Sequence, residues 1–208
     1  MIETLIVPGL DGSGPGHWQR LWAEKTPSAE IVEQEDWARP VLSDWLHRLE
    51  ARIAEAPGCV LVAHSLGCVL AAHLAERPSA AHVAGALLVA PADIERLAAR
   101  RPDLADFRLG SLRPLPFRSI VVASRNDPFM GWREANAHAA GWGSALVDLG
   151  HAGHINVDSG FGEWTDGEIL AEGLRASTPV RPSQARVERR LGPSPRGRLA
   201  RPVLKLAS

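Results

Sequence analysis

The sequence contains few cysteines, no tyrosine and no long apolar run. Among its 208 residues are two cysteines and seven tryptophans. Cys59 and Cys68 both lie inside apolar segments, which predicts two reduced core thiols instead of a disulfide or a metal site. No stretch approaches the ~20 consecutive apolar residues that a membrane-spanning helix needs. Because Glu3 stands where a signal peptide carries positive charge, the sequence predicts a cytoplasmic protein that is not bound to a membrane.

Charge is unevenly distributed along the chain. The formal net charge is -1, but residues 177–208 contain eight Arg or Lys and one Glu, which leaves -8 for residues 1–176. The basic segment also has five prolines and no aromatic residue, so burial cannot offset the entropy cost of ordering it. We therefore predict one folded domain over residues 1–176 and a disordered basic tail over 177–208. Nucleic acid is not an expected partner, because basic segments that bind it usually interleave aromatic residues.

Apolar runs alternate with helical patterns in the predicted domain. The runs are apolar throughout instead of at every second residue, which indicates strands buried on both faces. This pattern predicts an α/β fold, with a doubly wound, mainly parallel six-stranded sheet and helices on both faces. Strands are predicted at 4–7, 31–33, 60–63, 83–90, 119–123 and 145–149, and helices at 17–25, 42–56, 66–76, 131–141 and 167–174.

Three polar side chains follow three of the predicted strands. In such sheets ligands bind beyond the carboxyl ends of the strands, and Ser65, Asp127 and His154 lie in that position. Ser65 stands between a strand and a helix, with the small residues Ala63 and Gly67 two positions to either side. This context is typical of a nucleophile elbow, in which a sharp turn exposes the serine oxygen, although the usual first small residue is glycine. A serine that only caps the helix would give the same local pattern.

A nucleophilic serine needs a base, and the base needs an acid to orient it. Asp127 lies in the polar loop S-R-N-D-P, where a turn aspartate is the alternative. Asp93 competes for the acid role, and Asp148, closer to the body of a strand, is the weaker competitor. His154 and His151 lie three residues apart after the last strand, and their spacing does not separate them as candidate bases.

Several motifs together resemble one family. They are V-P-G-L-D-G-S at 7–13, H-W at 17–18, E-D-W at 35–37, V-A-H-S-L-G at 62–67, S-R-N-D-P at 124–128, G-H-I-N at 153–156 and S-G-F-G-E-W at 159–164. Over residues 2–175 the chain resembles the small serine hydrolases of the α/β-hydrolase superfamily, in the YdeN-like and retinoblastoma-binding-protein-nine-like group. The resemblance implies an α/β-hydrolase fold with Ser65 as nucleophile, Asp127 as acid and His154, over His151, as base. The segment after residue 176 has no counterpart in that pattern.

Acyl transfer also requires donors for the negative oxygen of the tetrahedral intermediate. The backbone amides of Leu66, next to the serine, and Leu10, in the glycine-rich loop after the first strand, are the candidates. That loop lacks the lysine and the glycine spacing of nucleotide-binding loops, so no nucleotide site is predicted.

The remaining histidines and tryptophans are assigned to structure or to the walls of the site. No histidine has partners at metal-ligand spacing, so neither a metal nor a cofactor is predicted, and His64 is assigned to the pocket wall or to packing. Trp18, Trp37, Trp132 and Trp164 flank the predicted site loops and either line an acyl pocket or serve packing.

The sequence therefore predicts a serine hydrolase acting on a small-molecule acyl substrate, as a carboxylesterase or a hydrolase of small amides. The 28 residues 91–118 between the fourth and fifth strands are too few for a large lid, which predicts a shallow site. The alternative is an inactive hydrolase fold that acts through protein interaction, with the basic tail as its contact.

Overall fold

The computed structural model describes residues 1–175 and 205–207, and their backbone forms one seven-stranded sheet. The strands are Thr4–Val7 (β1), Ala29–Ile31 (β2), Cys59–His64 (β3), Val83–Val89 (β4), Arg118–Ala123 (β5), Ala145–Asp148 (β6) and Lys205–Ala207 (β7). Their order is β2-β1-β3-β4-β5-β6-β7, with β1 to β6 parallel and β7 antiparallel to β6. The carboxyl ends of the six parallel strands therefore share one edge of the sheet.

Helices cover both faces of the sheet. They are Trp18–Lys25 (α1), Leu42–Glu55 (α2), Leu66–Ala72 (α3), Ile94–Arg100 (α4), Trp132–Trp142 (α5) and Thr165–Arg175 (α6). Successive strand residues point to opposite faces, and Leu5 and Val7 join a core with helices α2 to α5 while Ile6 joins a core with α1 and α6. Leu61 and Val62 divide between the two cores in the same way. The central strands β1, β3 and β4 are almost entirely apolar because each face of the sheet is covered. The predicted fold class is confirmed, and β7 adds a seventh strand to the six predicted.

Within residues 1–175, the elements depart from the prediction most clearly in three places. The edge strand β2 lies two residues earlier than expected, because its pairing with β1 begins at Thr4 and Ala29. The helix predicted at 66–76 is α-helical only to Ala72 and continues as a 3₁₀ helix, His73–Glu76. Helix α4, which the prediction omitted, begins where the Asp93 side chain accepts a hydrogen bond from the Arg96 amide.

The connection between β4 and β5 is small. It contains α4 and one 3₁₀ helix, Pro102–Phe107, and no further layer. The predicted absence of a large lid is therefore confirmed.

Most of the predicted tail lies outside the described residues, as does residue 176 at the predicted domain boundary. The part of 177–208 that is described is β7, which pairs with β6 through Leu146 and Ala207, Val147 and Leu206, and Asp148 and Lys205. Among the described helices, none has the length and apolar character needed to cross a bilayer. Cys59 and Cys68 are buried and free, as predicted, and burial raises the pKa of the Cys59 thiol to about 11.

Candidate active site

Ser65 occupies a strained corner between β3 and α3. Its φ of 54° and ψ of -121° lie in a region that residues other than glycine rarely adopt, at a cost of about 1–3 kcal/mol. Backbone hydrogen bonds hold the corner, since the Ser65 amide donates to Val89 O at 3.1 Å and its carbonyl accepts from Cys68 N at 3.0 Å. The Ser65 side chain makes no capping hydrogen bond to α3. The helix-capping alternative therefore does not describe this serine.

Two glycines allow the loop after β1 to contact this corner. A Cβ built on Gly67 would lie 2.2 Å from Val7 O, and one on Gly9 would lie 2.8 Å from Ser65 Cβ. Backbone therefore packs directly against backbone at both positions. Ala63, where the usual motif has glycine, is accommodated because its side chain is fully buried in the core on the α2 to α5 face.

Ser65, His154 and Asp127 form one continuous hydrogen-bonded chain. His154 Nε2 lies 3.0 Å from Ser65 Oγ, and His154 Nδ1 lies 2.9 and 3.0 Å from the two carboxylate oxygens of Asp127. Because a carboxylate only accepts, Nδ1 carries the proton, and Nε2 is left to accept the serine proton. The side chain of Asp127 is 2% exposed and that of His154 is 9% exposed, so little water competes for these bonds.

The loops after β5 and β6 are tied to each other beside this chain. Asn126 Oδ1 accepts from Gly153 N at 2.8 Å, and Ser124 Oγ accepts from Ala152 N at 2.9 Å. Each bond runs from the loop that carries Asp127 to the loop that carries the histidine. The separation of Asp127 and His154 is therefore fixed by side-chain-to-backbone hydrogen bonds between their two loops.

Further bonds orient the acid and the base individually. Asp127 Oδ1 accepts from Phe129 N at 2.8 Å, and His154 N donates to Ser159 Oγ at 3.0 Å. Ser159 Oγ in turn donates to Asn156 Oδ1 at 2.9 Å. These bonds restrict rotation of the two loops about the site.

The competing candidates have other partners. Asp93 caps α4, and Asp148 forms an ion pair with Arg125 at 2.6 Å and accepts from Gly150 N at 2.8 Å. His151 is exposed. The structure thus brings Asp127 and His154, and not these alternatives, to Ser65.

The loop that carries the predicted donor Leu10 contacts the elbow beside the other predicted donor, the Leu66 amide. The Cβ built on Gly9, directly before Leu10, would lie 3.0 Å from Leu66 N. Gln19, fully buried on α1, holds the loop from behind: it accepts from Ser13 Oγ at 2.6 Å and donates through Nε2 to Val62 O at 2.8 Å. Sequence reasoning missed Gln19, because a glutamine in an amphipathic helix does not indicate a buried tie between strands.

Two buried histidines lie behind the base. The His64 ring lies 4.8 Å from the His154 ring and 5.0 Å from the His17 ring. His64 Nε2 lies 2.9 Å from the carbonyl oxygen of His154, to which it donates. Burial, assisted by the charge of His154, lowers the pKa of His17 to about 4 and that of His64 well below its ordinary value.

The four tryptophans considered for the pocket divide into two pairs. Trp18 and Trp164 are 2% and 8% exposed and pack against each other in the core, so for them the packing alternative applies. Trp37 and Trp132 are partly buried, the first against Gly12 and the second beneath the Arg125 guanidinium.

Phe129, which the sequence analysis did not single out, lies at the entrance to the site. It is 51% exposed, and its ring centroid lies 4.6 Å from that of His154. A phenylalanine in a polar loop gives no signal of this contact, which depends on how the loop folds back over the histidine.

Two features elsewhere in the described chain, metal-ligand groups and clefts, bear on where the site lies. In residues 1–175 and 205–207, no group of three or more His, Cys, Asp or Glu side chains could hold a metal ion. A cleft of about 600 Å³ opens between β2 and α2, lined by residues that include Glu30, His47 and Arg52. Because none of the site loops contributes to that cleft, the sheet edge at Ser65 remains the candidate site.

Known proteins are similar to this chain in sequence and in structure. The family model described as "Serine hydrolase" matches residues 4–172. A YdeN-like hydrolase from Pectobacterium atrosepticum is similar in structure, with 33% sequence identity over 84% of this chain and 91% of that one, and a TM-score of 0.73. The ydeN gene product of Bacillus subtilis has 24% identity over 85% and 100% of the two chains, with a TM-score of 0.68. A thermophilic esterase from Thermogutta terrifontis shares the fold at 16% identity over 84% and 90%, with a TM-score of 0.59. No curated protein matches the chain.

Proposed function

The chain belongs to the serine hydrolase family, as its resemblance to YdeN-like hydrolases predicted, and we propose that it cleaves small esters or amides through an acyl-enzyme on Ser65. One observation carries this proposal: the unbroken hydrogen-bonded chain from Ser65 Oγ through His154 to Asp127. Its tautomer leaves Nε2 ready to accept the proton that the serine must lose.

In the proposed mechanism, Ser65 Oγ attacks the carbonyl carbon of the substrate while His154 Nε2 takes its proton. The amides of Leu10 and Leu66 stabilise the negative oxygen of the tetrahedral intermediate. The carbon–leaving-group bond then breaks, and His154 returns its proton to the departing alkoxide or amine. Asp127 keeps the imidazole in the required tautomer and stabilises its charged form.

Deacylation repeats these steps with water as the nucleophile. His154 removes a proton from water, whose oxygen attacks the acyl carbon of the ester on Ser65. Collapse of the second intermediate releases a carboxylic acid, and His154 returns the proton to Ser65 Oγ. No metal or cofactor is needed for either half of the reaction.

Small substrates with a modest apolar acyl group suit the surroundings of the site. The connection between β4 and β5 adds only α4 and a short 3₁₀ helix, so no large cover encloses a long chain. The half-exposed Phe129 ring beside His154 offers apolar surface to a short acyl group. Short acyl esters, and aminoacyl amides beside them, are therefore the first substrates to test.

The test compares Ser65→Ala with the wild-type protein. We expect loss of labelling by a fluorophosphonate, which reacts with activated serines, and a fall of roughly 10⁴- to 10⁶-fold in the hydrolysis of p-nitrophenyl acetate. Ser43→Ala is the matched control, because Ser43 is exposed at the start of α2 and should leave both readouts unchanged.

Undiminished turnover by Ser65→Ala would contradict the proposal. Absence of both labelling and turnover in the folded wild-type protein would instead favour the alternative of a hydrolase fold that acts through protein interaction. Removal of residues 177–208 would then show whether the basic segment is its contact.

A further inference from the structure

We propose that His64 is a positioning residue that sets the separation of nucleophile and base, through its hydrogen bond to the backbone of His154. This inference rests on the proposed roles of Ser65 and His154. It gives a function to a buried polar side chain that the mechanism above does not use.

The geometry links the two reacting residues through one side chain. His64 is the last residue of β3, pairs with Val89 of β4, and precedes Ser65 in the chain. Its side chain lies in the interior, with Nε2 2.9 Å from His154 O. A carbonyl oxygen only accepts, so Nε2 carries the proton of that bond. The backbone of the base His154 is thus hydrogen-bonded to the side chain of His64, the residue that directly precedes the nucleophile Ser65.

The backbone around His154 needs such support. Gly153 has a φ of 58° and Ile155 a φ of 51°, and the latter is unfavourable for a β-branched residue. A conformation of this kind persists only where surrounding contacts hold it. Three side chains do so here: Ser159 binds the His154 amide, His64 binds its carbonyl, and Trp18 donates to Ile155 O at 2.8 Å.

Of these three, His64 is the one next to Ser65 in the chain. Loss of the Ser159 bond would loosen the loop relative to the residues that follow it in the chain. Loss of the Trp18 bond would loosen the loop relative to α1. Loss of the His64 bond would loosen the loop relative to the nucleophile itself. A displacement of about 1 Å between reacting groups can reduce a rate by about 10²-fold.

His64 can hold this position without opposing the chemistry. When His154 accepts the serine proton, a second charged ring at 4.8 Å would repel it. The His64 ring is packed against His17 and Trp18, at centroid distances of 5.0 and 5.9 Å. In this buried setting it remains neutral, so it supplies a donor and no positive charge.

The test uses three substitutions of His64. Gln places an amide donor at nearly the reach of the imidazole Nε2, Asn places the same amide one methylene shorter, and Leu has no donor. With a p-nitrophenyl ester as substrate, we expect kcat to fall about 10- to 100-fold in His64→Leu and His64→Asn, with KM within about twofold. His64→Gln should retain kcat within about threefold of wild type.

A second readout separates positioning from general stability. The proton on His154 Nδ1, held between the ring and Asp127, gives a far-downfield NMR signal that should shift or broaden in His64→Asn and be preserved in His64→Gln. If His64→Leu does not fold, the comparison of Gln with Asn decides, since both are amides. Equal kcat values in His64→Gln and His64→Asn would overturn the inference. A change confined to KM, with kcat unchanged in all three variants, would overturn it as well.

Failure of this inference can be distinguished from failure of the proposed function. If Ser65→Ala is inactive and His64→Asn turns over at the wild-type rate, only the role of His64 is refuted. If Ser65→Ala remains active, the proposed function is refuted and the role of His64 with it.

Discussion

Replacement of Gly9 by alanine tests how closely the β1 loop must approach the nucleophile. The new Cβ would lie 2.8 Å from Ser65 Cβ, 2.9 Å from His64 O and 3.0 Å from Leu66 N. None of these atoms is the end of a flexible side chain, so none can rotate away. To reach ordinary contact at 3.4 Å, the loop must retreat from Ser65 by about 0.6 Å.

This retreat exceeds the tolerance of an oxyanion site. Donors act when they lie about 2.7–3.1 Å from the developing oxyanion, and the loop carries the proposed donor Leu10. We therefore expect kcat/KM for a short acyl ester to fall about 10²- to 10³-fold, the effect of losing one such donor. The free energy of unfolding should fall by about 1–3 kcal/mol, as for other overpacking substitutions.

Ester hydrolysis and urea denaturation measure these two effects. Gly14→Ala is the control in the same loop, because a Cβ built at Gly14 meets no atom within 4 Å and its φ is not in the left-handed region. It should stay within about twofold of wild type in kcat/KM. Wild-type turnover by Gly9→Ala, or an equal loss in Gly14→Ala, would refute the reasoning.

Two further predictions concern the acid and a buried histidine. Asp127→Asn should lower kcat about 10⁴-fold in the ester assay, because the amide favours the wrong tautomer of His154, whereas Asp148→Asn should remain active. Burial, and after it the charge of His154, lowers the pKa of His17 from 6.5 to about 4. Between these two pH values the unfolded chain binds more protons than the folded one, so the free energy of unfolding falls as the pH drops from 6.5 to 4. Urea denaturation measures how far the free energy of unfolding falls between pH 7 and pH 4.5. This fall should be smaller by roughly 2–3 kcal/mol in His17→Gln than in wild type. An identical pH dependence in the two proteins would count against a neutral, buried His17.

The sequence predicts the layers of this fold well because apolar runs report burial directly. Leu5, Ile6 and Val7 can all be apolar only if both faces of β1 are covered, as they are. Edges are less predictable, because β2 is covered by fewer neighbours and its register with β1 sets its start. Helix α4 was omitted because its signal is a single capping residue, Asp93, before a short and highly charged segment.

The candidate site shows the same division between local and long-range information. The elbow at Ser65 is local, so a few residues on either side predict it. The choice between His151 and His154 depends on a turn with positive φ at Gly153 and Ile155, which spacing does not reveal. The bond from His64 to His154 joins residues 90 apart in the chain, and no local pattern contains it.

The short connection between β4 and β5 also bears on how proteins of this architecture diversify. At its start, Ala92 N donates to Ser65 O at 3.3 Å and Asp93 N donates to Phe129 O at 3.2 Å, so the part of this segment after α4 is the part open to exchange during evolution or engineering. Lengthening a surface loop is thermodynamically mild, at about 0.6 kcal/mol for each doubling. An inserted hairpin or helical pair here would roof the exposed Phe129 and change which acyl groups fit, while the chemistry beneath stayed the same.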